Sequence, residues 1–119
     1  LARYLSALAL GAAIIMSSAP ALADSRVKST DPTSGSILNR SPGRVVVNFN
    51  EPARMTSVVV AEAGKGDRKL AFTPPEGSTT SFRILAPDLG VGRNEIIWKA
   101  LSKDGDPIVG SIVIVIKAG

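Results

Sequence analysis

The stretch from residue 96 to residue 116 constrains this chain more than any other. Ile96, Trp98 and Ala100 fall at every second position, as do Ile112, Ile114 and Ile116. A period of two places each trio on one face of a strand. Between the trios lies Asp104-Gly105-Asp106-Pro107, whose residue types favour a turn. The stretch therefore reads as strand, sharp polar loop and strand, with two carboxylates projecting from a turn whose ends are pinned in a core. From Ile112 to Ile116 every residue is Ile or Val, so Val113 and Val115 face away from the isoleucine trio. Either a neighbouring strand or loop covers them, or they form an apolar strip open to a partner.

The remainder of the chain follows the same period. Residues 26–28 read as a short first strand, closed by the turn residues Thr30-Asp31-Pro32-Thr33-Ser34-Gly35, and Asn39-Arg40-Ser41-Pro42-Gly43 reads as a second turn. In 44–50, Val45, Val47 and Phe49 share one side of a half-buried strand. Glu51-Pro52 is expected to stop it, because proline has no N–H to give to a ladder. Residues 56–63 carry Val58-Val59-Val60, whose branched side chains suit a pleated surface. Gly64-Lys65-Gly66-Asp67 is expected to be a hairpin loop, with 69–72 as its return strand. Thr80, Phe82 and Ile84 alternate in the next strand, and the Gly-containing loop 87–93 leads into 94–101.

Helical periodicity is absent after residue 24, and Gly and Pro turns recur at short intervals. The expected fold is all-β: an antiparallel seven-stranded immunoglobulin-like β-sandwich of Greek-key type, in which each sheet buries the apolar face of the other.

Residues 1–23 read as a signal peptide preceding a single domain over 24–119. Arg3 precedes an apolar run over 4–16, and Ala21-Leu22-Ala23 offers the small residues that signal peptidase accepts. The run is shorter than the ~20 residues needed to cross a bilayer, so no membrane span is expected in the mature chain, which would begin at Asp24. Residues 1–23 carry one base and no acid, leaving 13 basic and 10 acidic residues, a net charge of +3. These bases are scattered, and the few aromatics do not interleave with them as stacking platforms for bases, which argues against nucleic-acid binding.

The chain has no cysteine, so its stability rests on burial alone, and no histidine. The commonest general base and the commonest transition-metal ligand are therefore both missing. No nucleophile–base pair and no phosphate-binding loop emerges from the spacing, and the chain is not read as an enzyme.

Three stretches, in order, resemble the CopC family of periplasmic copper-resistance proteins. Ser29-Thr30-Asp31-Pro32-Thr33-Ser34-Gly35-Ser36 is similar to its "S-x-P-x-x-G" opening, and Val45-Val46-Val47-Asn48-Phe49-Asn50-Glu51-Pro52 to its "L-x-F-S-E-P" strand. Ile97-Trp98-Lys99-Ala100-Leu101-Ser102-Lys103-Asp104-Gly105-Asp106-Pro107-Ile108-Val109-Gly110 is similar to "W-x-V-x-S-x-D-G-H-P-V-x-G". The resemblance implies a β-sandwich in the periplasm, and copper(II) held by an N-terminal histidine with its amine and by the Asp and His of the D-G-H loop. The loop Asp corresponds to Asp104, and the two His positions fall on Asp106 and, after cleavage, on Asp24. The copper(I) site of the family draws on methionines, and only Met55 remains after cleavage.

A residual copper(II) site would thus comprise the free amine and carboxylate of Asp24 with the carboxylates of Asp104 and Asp106, an N,O set that binds weakly. The plainer alternative is that Asp104 and Asp106 simply make the turn. Two functions follow. One is a soluble copper carrier or buffer with a weakened site, feeding a membrane copper transporter or another periplasmic protein. The other is a non-catalytic protein-interaction module that has lost the metal and acts along the Val113 and Val115 face.

Overall fold

The computed structural model describes residues 26–119. The expected signal peptide and Asp24 lie outside the described residues. Seven strands follow in order: β1 (Val27–Asp31), β2 (Ser36–Leu38), β3 (Arg44–Glu62), β4 (Gly66–Lys69), β5 (Thr79–Leu85), β6 (Gly92–Ser102) and β7 (Pro107–Ile116). The all-β expectation holds.

The longest strand, β3, organises the sheet. Its first part pairs antiparallel with β1 on one side and β5 on the other, and its second part with β6 and β4. From β6 the sheet continues to β7 and β2. The result is a sheet folded over along β3 into a half-barrel. Val45, Val47 and Phe49 from one side meet Val58, Val60, Ile96, Trp98, Ile112 and Ile114 from the other in one buried cluster.

Two expectations are corrected. First, the sheet is mixed and not antiparallel throughout, because Ser36, Ile37 and Leu38 pair parallel with Ile114, Val115 and Ile116. Ser34 and Gly35 bind the same edge, the Ser34 hydroxyl accepting from Val113 N at 2.9 Å and Gly35 N donating to Val113 O at 2.7 Å. Val113 and Val115 are consequently half-buried beside this covered edge. Second, Glu51-Pro52 does not end a strand. The two strands expected over 44–50 and 56–63 are one strand of 19 residues. Its register shifts between Asn48 and Ala53 and again between Met55 and Ser57. Proline sits where pairing passes from β1 and β5 to β6, so its missing N–H interrupts no regular ladder. The return strand after the 62–66 hairpin is also earlier than expected, at Gly66–Lys69.

The β6–β7 pair is as the sequence predicts, in register from Gly92 and Ile116 to Leu101 and Pro107. Trp98 lies opposite Gly110, is 1% exposed, and covers it so closely that a Cβ there would fall 2.7 Å from the indole Cε2 and Cζ2. Glycine at 110 is therefore a packing requirement of the tryptophan. Trp98 is a core residue, and its face also lines a cavity of about 210 Å³ with Val27, Ser29, Ser111 and Ile112, between β1 and β7. That cavity brings the start of the domain against the pair that carries the Asp-Gly-Asp turn.

Candidate metal centre

The turn between β6 and β7 is built by Ser102. Its hydroxyl accepts from the backbone N–H of Asp104 at 3.2 Å and of Asp106 at 3.0 Å. Its own N–H donates to Asp106 O at 2.9 Å, and Gly105 N donates to Ser102 O at 2.9 Å. Gly105 has φ +86°, a conformation that costs a side-chain-bearing residue free energy and glycine none. One serine thus closes the loop, leaving the carboxylates of Asp104 and Asp106 exposed at its tip.

Ser102 was not among the residues the sequence singled out. Its signal is a hydroxyl two residues before an Asp-Gly pair, the spacing at which serine caps a turn.

Arg26 was missed for a different reason, since it is one of many scattered bases in the sequence. In space Arg26 Nη2 lies 3.8 Å from Asp106 Oδ2, with the two side chains 44% and 61% exposed. Its backbone carbonyl accepts from Asn50 N at 2.8 Å, anchoring the start of β1 to β3. The beginning of the described chain therefore stands beside the turn. Asp24 itself lies outside the described residues.

Of the three aspartates expected to hold metal, the structure brings Asp104 and Asp106 onto one turn, and Asp106 faces a guanidinium. Among the described residues, no group of three or more His, Cys, Asp or Glu side chains converges. Met55 is fully buried in the core and turns no thioether outward. Carboxylate oxygens suit harder ions than copper, and two of them on an exposed turn make no tetragonal site. The described residues by themselves do not fit copper. Glu51 lies exposed within β3, in a strand where the sequence suggests a turn.

A CopC domain model matches residues 27–117. This chain belongs to the CopC domain family. The match spans β1 to β7, so the relation covers the whole half-barrel. Among solved structures, CopC from Methylosinus trichosporium OB3b superposes with a TM-score of 0.62 at 18% identity, covering 76% of this chain and 91% of that one. PcoC, a methionine-rich copper resistance protein from Escherichia coli, gives a TM-score of 0.55 at 22% identity, covering 77% of this chain and 97% of that one. At these identities the two structures attest the fold. No curated protein matches the sequence.

The CopC domain of this chain joins β6 and β7 through the Asp104-Gly105-Asp106 turn, and the sequence contains no histidine. No helix among the described residues is long and apolar enough to cross a membrane.

Proposed function

We propose that this CopC-domain protein is exported to the periplasm and handles copper(II) there as a low-affinity carrier or buffer. In this reading the amine and carboxylate of Asp24, exposed by removal of residues 1–23, join the carboxylates of Asp104 and Asp106. Delivery is to or from a membrane copper transporter or another periplasmic protein. The scaffold is an immunoglobulin-like sandwich carrying a binding turn at one end, and it has no catalytic role.

The observation that carries the proposal is the 3.8 Å approach of Arg26 to Asp106, which supports an amino end within reach of the turn. Family membership supports copper as the ion. Copper(II) outranks other first-row divalent ions at most N and O ligand sets, so a set without imidazole retains some preference for it. The competing reading, an interaction module acting through Val113 and Val115, gains nothing from two valines that are half-buried beside β2.

Calorimetric titration of the processed protein with copper(II), beside an Asp104→Ala Asp106→Ala variant, tests the proposal. Weak binding in the native protein and none in the variant is the expected result. Equal binding in both, or none in either, ends it.

A further inference from the structure

We infer that the cavity between β5 and residues 70–73 is a binding site for a small amphiphilic anion, whose apolar chain enters the cavity while its anionic head meets Arg83 and Arg44. The site shares no residue with the Asp104–Asp106 turn, and the inference is independent of the copper reading.

Three observations lead to it. The cavity, of about 290 Å³, is lined by Val58 and Ile84 of the core and by Leu70, Phe72 and Phe82, which pack against the core while staying half-buried. Phe72 and Phe82 meet edge to face across it, with ring centroids 5.4 Å apart, and Leu85 beside them is 69% exposed. The apolar interior therefore reaches the surface here. Secondly, Arg83 is the one ionisable residue lining this cavity, and no acid lines it. Thirdly, Arg83 is not alone. The pairing of Arg44 with Leu85 and of Val46 with Arg83 sets the two arginines at diagonal positions on one face of β3 and β5, within reach of each other's long side chains. Both are exposed, and among the described residues neither has an ion-pair partner. Asp31 lines an adjoining cleft with them and pairs with neither.

Apolar walls and unpaired guanidinia ask different things of one ligand. The walls favour hydrocarbon over water, and each methylene fully buried there strengthens binding about fourfold. The two like charges repel each other until an anion comes between them, and arginine's planar fork matches a carboxylate. One unit charge a few ångströms from another in water is worth about fivefold in affinity, and salt screens it. A ligand that satisfies both has a short apolar chain and a single anionic head. The volume lies at the low end for ligand pockets, which excludes bulky molecules.

The test titrates octanoate, 1-octanol and octylammonium in turn into the processed, nitrogen-15-labelled protein at low salt, with amide chemical shifts reporting both the place and the strength of binding. Octanoate should shift the amides of Leu70 to Thr73 and Phe82 to Leu85 to saturation. 1-Octanol should act on the same amides about fivefold more weakly, and octylammonium more weakly still. The Arg44→Gln Arg83→Gln variant, checked for its fold by circular dichroism, should bind octanoate no better than 1-octanol and leave the affinity for 1-octanol unchanged. Absence of saturable shifts at these amides with octanoate overturns the inference. So does equal binding of the three compounds by the native protein, or a preference for octanoate that survives loss of both arginines. If the variant does not fold, the order of the three compounds on the native protein decides alone.

Discussion

Near the Gly92 end of β6, Nη2 of Arg68 shares its hydrogens among Glu62 Oε1 at 3.1 Å, Pro87 O at 2.8 Å and Asp88 O at 3.0 Å. At the Ser102 end of the same strand, Arg26 faces Asp106 at 3.8 Å. The chemical groups are the same at both ends, a guanidinium and a carboxylate. The surroundings differ. The Glu62 side chain is 15% exposed, against 61% for Asp106. Arg68 also holds a loop in which Ala86 and Asp88 take the left-handed region, at φ 46° and 52°, against their intrinsic preference. Asn94, buried at the same end, adds bonds from Nδ2 to Gly90 O and Gly92 O.

The contrast teaches that an arginine–carboxylate pair becomes architecture when it is shielded and shared with backbone carbonyls. Open to water on both sides, it contributes little. At one end of β6 the pair is shared with two backbone carbonyls, and at the other it is exposed.

The largest effect expected in this frame concerns the segment that both ends share. Gly110→Ala would push a Cβ into the rigid indole of Trp98 and should lower stability by about 3 kcal/mol in urea unfolding. A loss below about 1 kcal/mol would mean that the two ends are not referred to a common rigid strand pair. The comparison itself is tested by Arg68→Ala beside Arg26→Gln. The first removes partners from a largely buried carboxylate and two carbonyls and should cost about 2 kcal/mol, with little dependence on salt. The second should cost under about 0.5 kcal/mol. Equal losses would break the distinction between a shielded and a solvated pair.

An effect between these two concerns the turn between β6 and β7. Ser102→Ala removes the acceptor of two turn N–H groups that water can partly replace, and should cost about 1 kcal/mol. Amide exchange should quicken at Asp104 and Asp106 while remaining slow at the paired residues Ile96 to Ala100. Unchanged exchange at the two aspartates would show that Gly105 and the flanking strands hold the turn without the serine.

Much of this was readable residue by residue. Val45, Val47, Phe49, Ile96, Trp98, Ile112 and Ile114 are inside because they recur every second position, and a strand has no other way to bury such a set. The carboxylates of Asp104 and Asp106 were placed correctly on a turn, since Asp-Gly-Asp-Pro between two apolar trios leaves little else. Pro52 misled because its missing N–H matters only where a regular ladder would use it, and the handover of partners along β3 is a property of the assembled sheet. The three residues of β2 carry no period of their own and are a strand only because the edge of β7 accepts them.

The sequence by itself determined that this chain is all-β and that its last two long strands form an antiparallel pair around a carboxylate-bearing turn, because those features depend on neighbours in the chain. Only the tertiary structure decided which charges meet. Whether Arg26 stands beside Asp106 or in open solvent, and whether Glu62 is shielded or wetted, depends on how β3 folds the sheet over. That path brings together side chains some eighty residues apart at one end and half-buries an ion pair at the other, and no local pattern encodes such distances.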